Sequence, residues 1–181
     1  MGTQPKSALF NLLRKRDFLV APAGEGALIL VLAALSWIAR WPFVFASLGP
    51  TAYEMVEQPG LKSARPYNVI AGHLVALGAG WIALLVFHAR SSPSVSLAGS
   101  VVPARLGAAV LAVLLTTFVT LALRASQPAA LSTALLVSLG SMQTGRDAVA
   151  IVISVLILAA IGEPLRRWRT EAAREHQLAR Q

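Results

Sequence analysis

The sequence predicts an all-α membrane protein: about four transmembrane helices plus two short broken or re-entrant helical segments, with a possible internal two-fold repeat. Three observations predict it. Hydrophobic residues make up 56% of the 181 and charged residues 13%, with a mean hydropathy of +0.65, whereas a soluble domain carries roughly a quarter charged residues. The apolar residues are mainly Ala, Leu and Val in long runs that suit lipid-facing helices. Two further apolar runs, opening at Gly49-Pro50 and at Gln127-Pro128, are too short to cross a bilayer as helices.

Residues 7–20 alternate Leu and Phe with Arg and Lys, the pattern of an amphipathic helix on the membrane surface. The sequence Ala21-Pro22-Ala23-Gly24 is expected to end it. A cleaved signal peptide fits poorly, because the basic region is long and no small-residue cleavage site follows before Arg40. Residues 24–41 form the first span, about 27 Å at 1.5 Å per residue, and Pro42 prevents its plain continuation. Ser47 ahead of Gly-Pro-Thr reads as the hydroxyl cap of a short helix, which Glu54 and Glu57 keep from spanning. Pro59-Gly60 marks a polar turn.

Span two covers residues 67–87 and carries Asn68, Gly72 and His73. A Ser-rich connection leads to span three, residues 103–123, where Thr116, Thr117 and Thr120 have the spacing of hydroxyls that back-bond to their own helix. The second short segment runs from Pro128 to near residue 140. Span four is residues 148–162, followed by Glu163-Pro164 and a basic surface tail. The chain therefore divides into an N-terminal cytoplasmic segment (1–23), a transmembrane domain (24–163) and a basic cytoplasmic C-terminal tail (164–181).

The net charge is +8, with basic residues crowded at the two ends, which reads as anchoring to an anionic membrane face. Nucleic-acid binding is a poor reading without a soluble body to display that charge. There is no cysteine, which excludes disulfides and thiolate chemistry. Four crossings put eleven Lys and Arg on the side of the termini and five (Arg40, Lys62, Arg65, Arg124, Arg146) on the other, so both termini are expected in the cytoplasm. Six crossings, with both short segments traversing, keep the termini inside and move some loops. The charge count alone does not separate the two.

Pro50 and Pro128 each open a short segment that follows a full span. Paired interruptions of this kind point to a transporter's binding site. A helix N-terminus attracts anions through its unpaired N–H groups and dipole, so the two starts are candidate anion contacts. Against this, both are also ordinary packing turns. Asn68 and His73 are costly inside a membrane and belong in the protein interior, either as substrate or proton contacts or as hydrogen bonds pinning the broken segment. Arg65, Arg124 and Arg146 each lie beside a break, as an anion vestibule or as snorkelling and paired cations. No catalytic or metal-ligating constellation and no cofactor motif is evident, so an enzyme is not expected.

Ser-Leu-Gly-Pro-Thr-Ala at 47–52, Ala-Arg-Pro-Tyr-Asn-Val-Ile-Ala-Gly-His at 64–73 and Gln-Pro-Ala-Ala-Leu-Ser-Thr-Ala-Leu at 127–135 resemble the HPP family of small four-span membrane proteins. The likeness covers residues 24–168. Where that family has His-Pro-Pro, this chain has Gln127-Pro128-Ala129, so the motif histidine and second proline are replaced. Some relatives in plastids and cyanobacteria are associated with nitrite transport. The resemblance therefore implies a transporter or channel for a small inorganic anion, nitrite being the candidate. The substrate-contact candidates are Ser47, Gly49, Thr51, Asn68, His73, Gln127, Ser132 and Thr133, with Arg65, Arg124 and Arg146 as vestibule. Expected partners are membrane lipids, the anion and further copies of the chain in a homo-oligomer. A scaffold that transports nothing is the alternative. The Ala/Arg-rich composition suits a bacterial inner membrane.

Overall fold

Uncharged runs of Ala, Leu and Val bury their backbone polar groups in helical hydrogen bonds, as a bilayer requires. The computed structural model describes residues 17–95 and 102–178. It contains α1 (Asp17–Ala39), α2 (Leu48–Glu57), α3 (Pro66–Val86), a 3₁₀ turn (Ala89–Ser91), α4 (Pro103–Ala122), α5 (Pro128–Ser138) and α6 (Gly145–Leu178). No strand occurs among the described residues. Four stretches are long and apolar enough to cross a membrane: Leu19–Ala39, Pro66–Val86, Pro103–Ala122 and Gly145–Ala172. The 10-residue α2 and the 11-residue α5 each reach about half-way at 1.5 Å per residue.

Helices α3, α4 and α5 each begin on a proline, preceded by Arg65, Val102 and Gln127 in extended conformation, the arrangement in which the missing N–H costs nothing. Gln127 Oε1 also accepts a bond from Ala129 N at 3.1 Å. Left-handed residues stop the chain beyond α1, α3, α4 and α5: Arg40, His88, Arg124 and Gly140.

Two expected breaks are absent. Pro22 lies inside α1 and Pro164 inside α6, so neither ends a helix; the part of the amphipathic reading that covers residues 7–16 lies outside the described residues. Each proline deletes one backbone hydrogen bond, but both are exposed, and the packing around them holds the helix. Leu165 packs beside Gly24, and the Cβ position of Gly162 lies 2.6 Å from Met55 Cε. The basic tail is thus a continuation of the last span.

Helix ends meet at two faces. At the face where α1 begins and α6 leaves, Arg169 Nε donates to Val56 O (3.1 Å), Arg166 Nη1 to Pro59 O (2.9 Å), Tyr67 OH to Leu123 O (3.1 Å) and Gln127 Nε2 to Ser63 O (3.3 Å). At the opposite face, Arg146 Nη2 donates to Arg40 O (2.6 Å), Phe87 rests on Gly107, and Arg105 Nη1 donates to Ser138 O (3.2 Å). The segments 40–57 and 123–138 therefore each connect one face to the other, as an irregular leg followed by a half-length helix. The chain passes through six times on four spanning helices. Lys62, Arg65 and Arg124 consequently lie at the face of the chain ends, and Arg90 and Arg105 at the opposite one, which corrects the four-crossing assignment.

The irregular legs are closed by local bonds. Phe43 N donates to Ser36 Oγ (3.0 Å), and Trp41 stacks on Phe43; Asn68 Nδ2 donates to Ser126 O (3.0 Å). Non-helical backbone at membrane depth survives only with such partners.

The two halves, α1–α3 and α4–α6, run in opposite senses and pack alike. Helix α2 lies against α1 and α6, α5 against α4 and α3, and α3 against α6. Exchanging the halves maps this set of contacts onto itself, and with their senses opposed the halves form an inverted pair. Helix α5 seats directly on α3 at two glycines: a Cβ on Gly72 would stand 2.7 Å from Gln127 Cβ, and one on Gly80 would stand 2.7 Å from Val137 Cβ. The core between the halves is built largely of small side chains, including Ala76, Ala83, Ala112, Ala130 and Ala134.

Candidate functional site

The inner end of α2, the second turn of α5 and the first half of α3 converge on four fully buried polar side chains: Ser47, Thr51, His73 and Thr133. Ser47 Oγ lies 2.7 Å from Thr133 Oγ1, Thr133 Oγ1 lies 2.8 Å from His73 Nδ1, and His73 Nε2 lies 3.0 Å from Thr51 Oγ1. Thr51 Oγ1 donates to Ser47 O at 2.8 Å. Donor counting orders the set for a neutral imidazole. The single hydroxyl hydrogen of Thr51 goes to the Ser47 carbonyl, so Thr51 accepts from Nε2–H. Nδ1 is then the acceptor and takes the Thr133 hydrogen, which leaves Thr133 to accept from Ser47 Oγ–H. The bonds form a closed ring that leaves and re-enters at Ser47.

Ser47 is helical in conformation and caps nothing with its side chain. The sequence reading of it as an N-cap is corrected: its hydroxyl turns to α5 instead. The N-terminal end of α2 still delivers its partial positive charge to the interior, beside the ring.

The remaining candidates lie elsewhere. Asn68 and Gln127 are buried about one and a half turns nearer the face of the chain ends, holding the breaks by the bonds given above. Ser132 is half-buried beside Thr133, and Gly49 is exposed on the outer side of α2. The three vestibule arginines do not assemble. Arg65 and Arg124 are exposed at one face, whereas Arg146 is at the other, over the Trp41 ring at 5.0 Å. The expectation of a shared vestibule fails because it rested on the four-crossing topology.

Two arginine anchors were missed in the sequence. Arg105 is fully buried and its guanidinium donates to Pro93 O (3.3 Å), Ser138 O (3.2 Å), Ser92 O (2.6 Å) and Gln143 Oε1 (2.8 Å). It meets the carbonyl end of α5, where a cation offsets the helix dipole. Arg169 does the same for α2 through Val56 O, and lies 3.8 Å from Glu57. Each half-helix thus has its carbonyl end held by an arginine of a spanning helix, at opposite faces. The available signal was a lone arginine two residues inside an apolar span, together with a glycine, Gly140, that leaves room for it.

Thr116 and Thr120 back-bond to Ala112 O and Thr116 O, each at 2.7 Å. Among the described residues no group of three His, Asp or Glu is placed to hold a metal ion.

The search of curated proteins gives no match, and that of solved structures gives none either. The family model described as the HPP transmembrane region matches residues 11–169, a stretch that contains the starts of all six helices and both broken segments. The chain is a multi-pass membrane protein and belongs to the HPP transmembrane family.

Proposed function

We propose that the chain is a transporter or channel for a small inorganic anion, nitrite being the candidate that the family resemblance implies. The observation that carries this reading is the inverted pair of half-helices meeting a buried ring of hydroxyls around His73. Inverted repeats with discontinuous helices at mid-membrane are the architecture of many secondary transporters, whose sites lie at the repeat interface. An entering oxyanion would take the hydrogens of Ser47, Thr133 and His73 Nε2, with the start of α2 adding a favourable dipole. In the closed ring those hydrogens are taken by neighbours, so an entering anion would replace these bonds one for one.

The same closed bonding also favours a scaffold reading, in which the ring only fastens α2, α3 and α5. Nothing in either reading requires enzymatic chemistry. The side of the chain ends holds Lys62, Arg65, Arg124, Arg166, Arg167, Arg169 and Arg174 against Arg40, Arg90, Arg105 and Arg146 on the other. This balance supports cytoplasmic termini, in a bacterial inner membrane by composition. A homo-oligomer suits so thin a bundle.

Purified protein in liposomes decides the matter. Uptake of nitrite, nitrate or halide above empty vesicles, lost in Thr133→Val with the folded protein intact, is the expected result. No flux of any of them sinks the transport reading and leaves the scaffold.

A further inference from the structure

At the face of the chain ends, a recess of about 520 Å³ opens between the start of α3 and the end of α6. Arg65, Tyr67, Glu163, Arg166, Arg167 and Thr170 line it, with Glu171 at the exposed rim. It is well separated from the His73 ring, and nothing in the transport reading uses it.

Its charges are arranged unequally. Glu163 Oε2 accepts from Arg166 Nε (2.6 Å), and Glu163 Oε1 accepts from Arg166 Nη2 (2.8 Å) and from Arg167 Nε (2.6 Å). Both oxygens of this acid are therefore occupied. It acts as a clamp that holds two guanidiniums side by side, and Arg166 is further fixed by Pro59 O (2.9 Å). Arg167 keeps its terminal N–H groups free of these bonds, its side chain 72% exposed. The Arg65 side chain, across the recess, has no hydrogen bond or ion pair among the described residues. Thr170 on the α6 wall donates its hydroxyl hydrogen to Arg166 O (2.8 Å), and the start of α3 lacks a side-chain cap.

Two aromatics mark a depth. Tyr67 on the α3 wall is 59% exposed and Trp168, elsewhere on the same stretch of α6, is 53% exposed, and such half-wet aromatics sit at headgroup level. The recess thus presents forked N–H donors to a tetrahedral oxyanion where a lipid's phosphate lies, on the more basic face of the protein.

We propose that this recess is a phosphate-ester site, occupied by the headgroup of an anionic phospholipid. Arg65 and Arg167 grip the phosphate from the two walls, and Glu163 with Arg166 sets the position of the α6 wall. The proposal is independent of whether the chain transports anything.

Native mass spectrometry of the full chain in detergent, offered phosphatidylglycerol and phosphatidylcholine at equal concentration, tests it. Phosphatidylglycerol is retained in preference, and Arg65→Gln and Arg167→Gln each weaken retention about fivefold. Lys62→Gln, on the same face but outside the recess, leaves retention unchanged. Arg65→Lys, which keeps the charge but not the fork, falls between wild type and Arg65→Gln. Equal retention of both lipids overturns the site, as does wild-type retention in the glutamine variants or an equal loss in Lys62→Gln. Displacement of the lipid by millimolar inorganic phosphate overturns the headgroup assignment and gives the recess to a soluble phosphate.

Discussion

The Ser47 hydroxyl lies 2.7 Å from that of Thr133, 86 residues away in sequence, and this pair joins the half-helix of one repeat to that of the other. Thr133→Val keeps the shape and removes the hydroxyl, leaving His73 Nδ1 and the Ser47 hydroxyl without partners in a dry interior. The expected loss is about 1–3 kcal/mol of stability, read as a lower melting temperature in detergent. Ser132→Ala, one residue away and half-buried, should change it by less than about 0.5 kcal/mol. Equal effects of the two would refute the ring's structural weight.

Arg105 and Gly140 depend on one another. Gly140 has φ +89°, and a Cβ there would lie 2.7 Å from the Arg105 Cζ. Gly140→Ala therefore combines backbone strain with a clash against a fixed guanidinium, for a loss of about 1–3 kcal/mol. Arg105→Met leaves the carbonyls of Ser92 and Ser138 unsatisfied and should cost at least as much, about 3 kcal/mol. The double variant should lose less than the sum, because the clash partner has gone. Additive melting shifts would show that the two residues act separately.

The chain has no cysteine of its own, so single-cysteine labelling reads topology directly. Lys62→Cys and Arg124→Cys should react with an impermeant maleimide from the same side as Glu171→Cys. Arg90→Cys should react from the other side. Should Arg90 label with Glu171 and Lys62 label opposite to both, the chain crosses only four times.

Glycines on the two sides of the half-helices should respond unequally. Gly72→Ala drives a methyl against Gln127 Cβ at 2.7 Å, and should separate α3 from α5 at a cost of about 1–3 kcal/mol. At Gly49, nothing beyond its chain neighbours lies within 4 Å of the new methyl. Gly49→Ala should change stability by less than about 0.5 kcal/mol, because the gain in helix propensity is opposed by the crowding of a Cβ against the ring of Pro50. A melt in which both lower stability equally would contradict the outward placement of Gly49.

The four spanning helices were legible because lipid demands about 20 apolar residues in a row, and little else in the chain meets that length. Helix α5 was legible from Pro128, whose preference for the first helical position acts locally. Ser47 looked like a cap for equally local reasons, but its hydroxyl found a distant partner that no local rule contains. Pro22 and Pro164 were read as breaks because sequence reveals the lost hydrogen bond and conceals the neighbours that compensate for it. The faces of Lys62 and Arg124 were ambiguous because either topology leaves the basic excess with the chain ends. The role of Arg105 was not legible, since its four acceptors come from residues 92, 93, 138 and 143, brought together only by packing. Among the candidate contacts, Thr51, His73 and Thr133 converge and Gly49 does not. Helical phase decided that, and phase across an irregular leg is not readable from spacing.

The ring also sets an order of events during synthesis. Ser47, Thr51 and His73 are made long before Thr133, and α2 is too short to cross a membrane unaided. Until α5 emerges and docks, the first half holds an imidazole nitrogen and a serine hydroxyl with no permanent partner at membrane depth. The amino-terminal repeat is therefore incomplete on its own. A chain released after α3 should be held in translocon or chaperone contact, or degraded, where the full-length protein escapes both.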